Sequence, residues 1–218
     1  MGYQDTRNIL RETSTGIYSV SIKDHLLQGR KVFLTGIIDG EKSASLLQQF
    51  IVLEEQEPGQ PILFYINSSG GSVQDGLMVY DYLMSLKKGQ LTTVCTGHAD
   101  SMAGILMLAG DRRLIFRNGR VLLHDASFQS ADFSGLKPAE IQERTDTLLK
   151  TCETLRRIIS ERTGNPIEAV TEKMKTDTVF SAEEALNFNI CTELVEEAGQ
   201  LAFKDTGDHW SASVPRQI

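Results

Sequence analysis

Apolar and polar positions along this chain switch between a period near two and a period near 3.6. "KVFLTG" (31–36), "PILFYIN" (61–67) and "LTTVCTG" (91–97) are short apolar or alternating runs rich in β-branched and aromatic residues, and each predicts a strand. Between them, "EKSASLLQQFIVLEEQ" (41–56) and "SVQDGLMVYDYLMSL" (72–86) carry apolar residues at helical spacing. This βαβαβ order predicts an α/β fold with a largely parallel sheet, covered by helices and joined by right-handed crossovers. "MAGILMLAG" (102–110) is apolar on every face, so a helix starting near Ser101 is expected to be buried on every face. "RLIFRNGRVLLH" (113–124) reads as two strands around Asn118-Gly119, a hairpin signal because both residues tolerate positive φ. "DASFQSADFSG" (125–135) is a polar loop of mostly small residues.

The longest predicted helix runs from about Pro138 to Arg162, with Ile141, Leu148, Leu149, Cys152, Leu155, Ile158 and Ile159 as its stripe. It would be about 35–40 Å long, as long as a small domain is wide, so it is expected to project and pack on another body, such as a second subunit. Asn165-Pro166 reads as a cap followed by an N1 proline. Ser181-Ala182-Glu183-Glu184 reads as a capping box. Residues 1–16 are polar and mixed, a mobile or partner-dependent terminus, and 196–218 read as a flexible tail.

Composition narrows the function. At 218 residues the chain suits one substantial domain. A net charge of −7 without a long basic run argues against a nucleic-acid partner. The first twenty residues hold Asp5, Arg7, Arg11 and Glu12 and no apolar core, so no secretory signal is expected. The most apolar run, Met102 to Ala109, is too short to span a bilayer. Cys95, Cys152 and Cys191 are odd in number, widely spaced and without CxxC. They argue against a disulfide framework or a metal site and for reduced thiols in the cytoplasm, or in an organelle stroma or matrix.

Four places could carry chemistry. "GHADSMAG" (97–104) puts Ser101 between a strand and a helix, where the Met102 N–H lies free in the first turn. That suits a serine nucleophile beside an oxyanion hole. It is not GxSxG, so the hydrolase elbow is not expected, and Ser101 or Asp100 could equally be a helix cap. His124 closes the strand "RVLLH", at the end of the sheet where α/β sites form, though a strand-end histidine needs no role. His98 competes by proximity but is expected on the turn itself; His25 and His209 are weaker. For a group that orients the histidine, Asp125 is poorly placed, because adjacent strand residues point to opposite faces. Asp100 and Asp177 remain, and local reasoning does not choose between them. "NSSGGSV" (67–73) reads as a loop whose glycines admit a substrate backbone or supply an oxyanion donor; a phosphate cradle is a weaker reading, without GxGxxG or GxxxxGK[ST].

Together these motifs resemble the proteolytic subunit of the ATP-dependent Clp protease, a serine peptidase family. The resemblance runs from about Ile17 to Val195, through "RKVFLTGIIDG", "FYINSSGGSVQDGLMVYD", "GHADSMAG", "NGRVLLH" and "DTVFSAEEALNFNI", in that order. It implies a crotonase-like fold of repeated ββα/βα units with a projecting strand-helix handle, here about residues 125–162. It implies Ser101 as nucleophile, His124 as general base and then acid, and Asp177 as orienting carboxylate. Backbone N–H groups of Gly71 and Met102 would form the oxyanion hole. It also implies two heptameric rings stacked as a tetradecamer, polypeptide substrates, gate loops from residues 1–16, and a separate hexameric AAA+ unfoldase. That partner would use the ATP, because this chain has no Walker A sequence and needs no cofactor of its own.

The chain departs from the family pattern in places. Ser69 stands where proline is usual, Asp100 where a small apolar residue is usual, and Asp125-Ala126 where Gln-Pro is common. Leu63 stands where the unfoldase-docking strand commonly has a second aromatic beside Tyr65. The 23-residue interval from Ser101 to His124 is slightly short, and the 53-residue interval from His124 to Asp177 somewhat long. These departures suit a divergent paralogue. The alternatives are a noncatalytic or weakly active subunit of a mixed complex, a virus-type capsid maturation peptidase, and a crotonase-class acyl-CoA enzyme.

Overall fold

The computed structural model describes residues 8–13, 16–128 and 133–201. Two antiparallel strands, β1 (Asn8–Thr13) and β2 (Gly16–Ser21), precede a short helix, α1 (Ile22–Gln28). The polar pattern of the first sixteen residues thus concealed a strand. Its alternation is weak because much of the pair is solvated: Leu10 and Ile17 are about three-quarters exposed.

The body is a seven-stranded sheet. β3 (Lys31–Ile38), β4 (Ile62–Gly71), β5 (Leu91–Asp100) and β6 (Arg112–Phe116) lie side by side and parallel, and β9 (Glu193–Val195) adds to β6. The crossovers are α2 (Gly40–Gln56), α3 (Val73–Ser85) and α4 (Met102–Leu108). β5 and the start of β4 are mostly buried, as expected for covered strands, whereas the end of β4 alternates, with Asn67 and Ser69 exposed and Ile66, Ser68 and Gly70 buried. One face packs on Leu46, Phe50 and Leu53 of α2, on Val79 and Leu83 of α3, and on all of α4. Phe50 meets Phe64 of β4 edge-on, with ring centroids 5.2 Å apart.

α4 is buried on every face, as predicted, so its C-terminal carbonyls need partners inside the protein. Two arginines supply them. Arg162 donates to Leu108 O at 2.7 Å and Gly110 O at 2.8 Å, and Arg113 donates to Gly110 O at 3.2 Å and Ile190 O at 2.9 Å. Their charge also sits favourably at the negative end of the helix dipole.

The predicted hairpin at Asn118-Gly119 does not form. β7 (Arg120–Leu123) does not pair with β6; both lie parallel to β5, β6 along Thr92–Cys95 and β7 along His98–Asp100. A tight hairpin of this kind needs positive φ at its central residues, and neither Asn118 nor Gly119 has it. The chain turns once, through Gly119 N–H to Phe116 O at 2.7 Å, and continues in the same direction. The sheet therefore forks, and β7 carries β8 (Thr178–Ser181) antiparallel on its outer edge.

α5 (Pro138–Thr163) is the predicted long helix. Its buried residues, Cys152, Leu155, Ile158, Ile159 and Thr163, all lie in the second half, and no residue from 138 to 151 is buried. α6 (Ile167–Met174) starts one residue later than the expected cap implied: Pro166 holds the N-cap position, and the Asn165 amide instead donates to Phe188 O at 2.8 Å. The capping box at Ser181 and Glu184 opens α7 (Ala182–Asn187) as predicted. Beyond β9, residues 198–201 form a turn of tighter helix whose Gln200 carbonyl accepts from Arg112, so the tail is docked at least that far. Among the described residues, no helix is long and apolar enough to cross a membrane.

Candidate active site

β5 continues three residues past its predicted end at Gly97, so "GHAD" is strand. Ser101 is the single residue between β5 and α4, at φ 56° and ψ −124°. A capping serine normally has extended backbone and bonds its side chain to the first turn. Ser101 does neither, for its side chain makes no capping bond. Its own N–H donates to Leu122 O of β7 at 2.7 Å, and its carbonyl accepts from Gly104 N–H at 2.9 Å. A non-glycine residue held in this region stores roughly 1–3 kcal/mol of strain, and such strain clusters at functional sites. A strained serine on a strand-to-helix turn is the geometry of a nucleophile elbow, which the absence of GxSxG had argued against.

The room for this elbow comes from another strand. The residues two places either side of Ser101 are Ala99 and Ala103, both fully buried. The close approach is made instead by Gly70 of β4. A Cβ there would lie 2.5 Å from Asp100 O and 2.9 Å from both Met102 N and Ser101 Cβ. Gly71, the expected oxyanion donor, lies one peptide further and packs against Ile38 of β3, where a Cβ would come within 2.1 Å of the Ile38 carbonyl. The Met102 thioether is buried against Gly76 of α3, which leaves its backbone N–H as the part of Met102 next to Ser101. The "NSSGG" segment is the end of β4 rather than a loop. Ser68 Oγ donates to Gly36 O at 2.6 Å and accepts from Gly70 N–H at 3.1 Å, so these groups are tied into the sheet and form no phosphate cradle.

His124 and Asp177 meet through strand register. β7 and β8 are antiparallel, with Leu123 opposite Thr178. One further step in that register sets His124 opposite Asp177. Their Nδ1 and Oδ1 atoms lie 3.9 Å apart, close enough for an ion pair but too far for a hydrogen bond. The histidine side chain is 26% exposed and the aspartate 76%. Ser101 and His124 thus stand at the C-terminal ends of two adjacent parallel strands, the edge where open α/β sheets place their sites.

The competing residues are occupied elsewhere. His98 lies within β5 rather than on the turn. Its N–H donates to Asn67 Oδ1 at 3.1 Å. Asp100 Oδ2 accepts from Arg120 Nη2 at 3.0 Å, and its buried Oδ1 has no partner among the described residues. Asp125 takes a forked pair of bonds from Arg156. His25 lies on α1, and His209 falls outside the described residues. Nearby Cys95 is not a rival nucleophile, since burial pushes its thiol up to about 12. Among the described residues, no group of three or more His, Cys, Asp or Glu side chains could hold a metal ion.

Sequence reasoning missed Gly70 as the residue that admits the elbow, and the Asp125–Arg156 pair. For Gly70 the signal was present in the glycine pair; for Arg156, 31 residues from Asp125, no local signal existed. Compared with known protein families, residues 14–198 match the Clp protease.

Proposed function

Since this chain belongs to the Clp protease family, we propose that it is a serine endopeptidase that cleaves unfolded polypeptides through an acyl-enzyme. The mixed α/β fold with its parallel sheet is that of the family, and the family implies peptidase chemistry. The finer reading rests above all on Ser101, strained and without a capping role at the C-terminal edge of the sheet.

In this mechanism Ser101 Oγ attacks the scissile carbonyl while His124 accepts its proton. The ring nitrogen that faces Asp177 is Nδ1, which leaves Nε2 for the serine. Asp177 favours that tautomer and the imidazolium that forms. The oxyanion is held by the Met102 N–H at the start of α4 and by the N–H of Gly71. His124 then protonates the leaving amine, and water resolves the acyl-enzyme by the reverse sequence of proton transfers. The subunits would form two stacked heptameric rings, fed by a hexameric AAA+ unfoldase that hydrolyses the ATP.

A second reading is favoured by the 3.9 Å gap between His124 and the largely exposed Asp177. It holds that the single subunit is weakly active and gains competence on assembly, which would shield the pair.

One experiment tests both. The purified protein is separated by mass and treated with a fluorophosphonate. Labelling of Ser101 that disappears in Ser101→Ala supports the peptidase; an assembled protein that never labels defeats it. Labelling confined to the large assembly supports the second reading, and equal labelling at every mass defeats it.

A further inference from the structure

We propose that Asp125 and Arg156 are positioning residues for His124, fastening the chain just beyond the histidine to α5. The proposal rests on the reading of His124 as the general base.

The β7 ladder ends at Leu123, and residues 124–128 have no regular structure. Sheet hydrogen bonding therefore fixes the chain before His124 but not after it. The far side is held by four other bonds. Asp125 N–H donates to Met174 O, at the end of α6, at 2.9 Å. The Asp125 carboxylate is gripped by the guanidinium of Arg156 on α5, Nε to Oδ1 at 2.9 Å and Nη2 to Oδ2. Cys152, one turn earlier on the same face of α5, directs its Sγ to Ala126 O at 3.6 Å.

The forked contact is the decisive one. Two parallel bonds to a planar guanidinium restrict direction as well as distance. Both side chains are about three-quarters shielded from solvent, which limits screening. The Asp125 carboxylate is taken up by Arg156, so it acts through the backbone rather than on the ring.

His124 needs this support because its other partner holds it poorly. Asp177 is exposed and 3.9 Å away, beyond hydrogen-bond reach. With no firm bond to the ring, its aim toward Ser101 follows the backbone from Leu123 to Asp125. Met174 lies three residues before Asp177, so the same junction also sets where the aspartate stands.

The test uses the full-length protein with Arg156→Gln, Arg156→Lys, Asp125→Asn and the double variant Asp125→Asn/Arg156→Gln. Assembly mass and melting temperature show which variants fold; Asp125→Asn changes one polar atom and stands in if Arg156→Gln does not. Hydrogen exchange of residues 123–128 is read beside the fluorophosphonate labelling rate, kcat and KM. In Arg156→Gln, exchange over 124–128 rises roughly 10-fold while β5 and α4 stay protected. Labelling and kcat fall about 10–100-fold with KM within about twofold, the pattern of a misaimed catalytic group. The double variant is no worse than the single, and Arg156→Lys recovers part of the loss. Unchanged exchange at 124–128 overturns the proposal. So does loosened exchange with wild-type kcat and labelling, which makes the pair merely structural. A wild type that never labels, while Arg156→Gln still loosens 124–128, instead defeats the peptidase reading and with it the positioning role.

Discussion

Replacing Gly70 with alanine adds one methyl group at the place where β4 meets the Ser101 turn. The new Cβ would sit 2.5 Å from Asp100 O and 2.9 Å from Met102 N and Ser101 Cβ. Ordinary contact begins near 3.4 Å, so strand and turn must separate by about 0.5–0.9 Å. The obstructing atoms are mostly backbone, which cannot rotate away. Two costs combine. Holding alanine at φ +82° costs about 1–2 kcal/mol, and overpacking a rigid contact costs about 1–3 kcal/mol more. The expected destabilisation is therefore roughly 2–5 kcal/mol. The displacement falls on Ser101, the proposed nucleophile, and on the first N–H of α4, where a shift approaching 1 Å would cost on the order of 100-fold in rate. Gly89→Ala is the control: its φ is +87°, but no atom lies within 4 Å of the added methyl. It should show the strain alone, about 1–2 kcal/mol, and normal activity. Urea denaturation measures the first effect; the fluorophosphonate labelling rate and peptide kcat/KM, well below the melting temperature, measure the second. A Gly70→Ala protein that labels within threefold of wild type, or is no less stable than Gly89→Ala, would refute the account of the elbow.

Two further outcomes are expected. Asp100→Ala removes a buried acceptor with no partner among the described residues, worth about 1–3 kcal/mol, and gives up only a bond to Arg120, whose side chain is half exposed and worth at most about 1 kcal/mol. Stability to urea should rise by about 1 kcal/mol, and a loss of that size would contradict the reasoning. Burial raises the thiols of Cys95 to about 12 and Cys191 to about 11, from an ordinary value of 9. The unfolded chain then loses these protons first, so stability should hold below pH 9 and fall as pH climbs from 9 toward 12. Neither thiol should react with a disulfide reagent at pH 8 before the protein unfolds, and fast reaction of the native protein would contradict this.

Local pattern was enough for most of the elements. The apolar run from Met102 to Leu108 announced a fully buried helix, Ser181-x-x-Glu184 announced the cap of α7, and the stripe along 138–162 announced the longest helix. Ser101, His124 and Asp177 were proposed as members of five motifs in a fixed order; none of the three stood out by its own surroundings. These features are written within windows of a few residues, because helix and strand periods and capping bonds join near neighbours in the chain.

The tertiary structure decided which distant segments meet. Asn118-Gly119 has the composition of a hairpin turn, yet β6 and β7 both lie along β5, because backbone dihedrals and an available strand edge govern pairing, not turn composition alone. The opposition of His124 and Asp177 is a matter of β7–β8 register. The glycine that admits the serine turn lies 31 residues before it, and the arginine that grips Asp125 lies 31 residues after that aspartate. Such contacts leave no local trace. Each residue is compatible with its own neighbours in either arrangement, and only packing in three dimensions sets the distances on which a catalytic site depends.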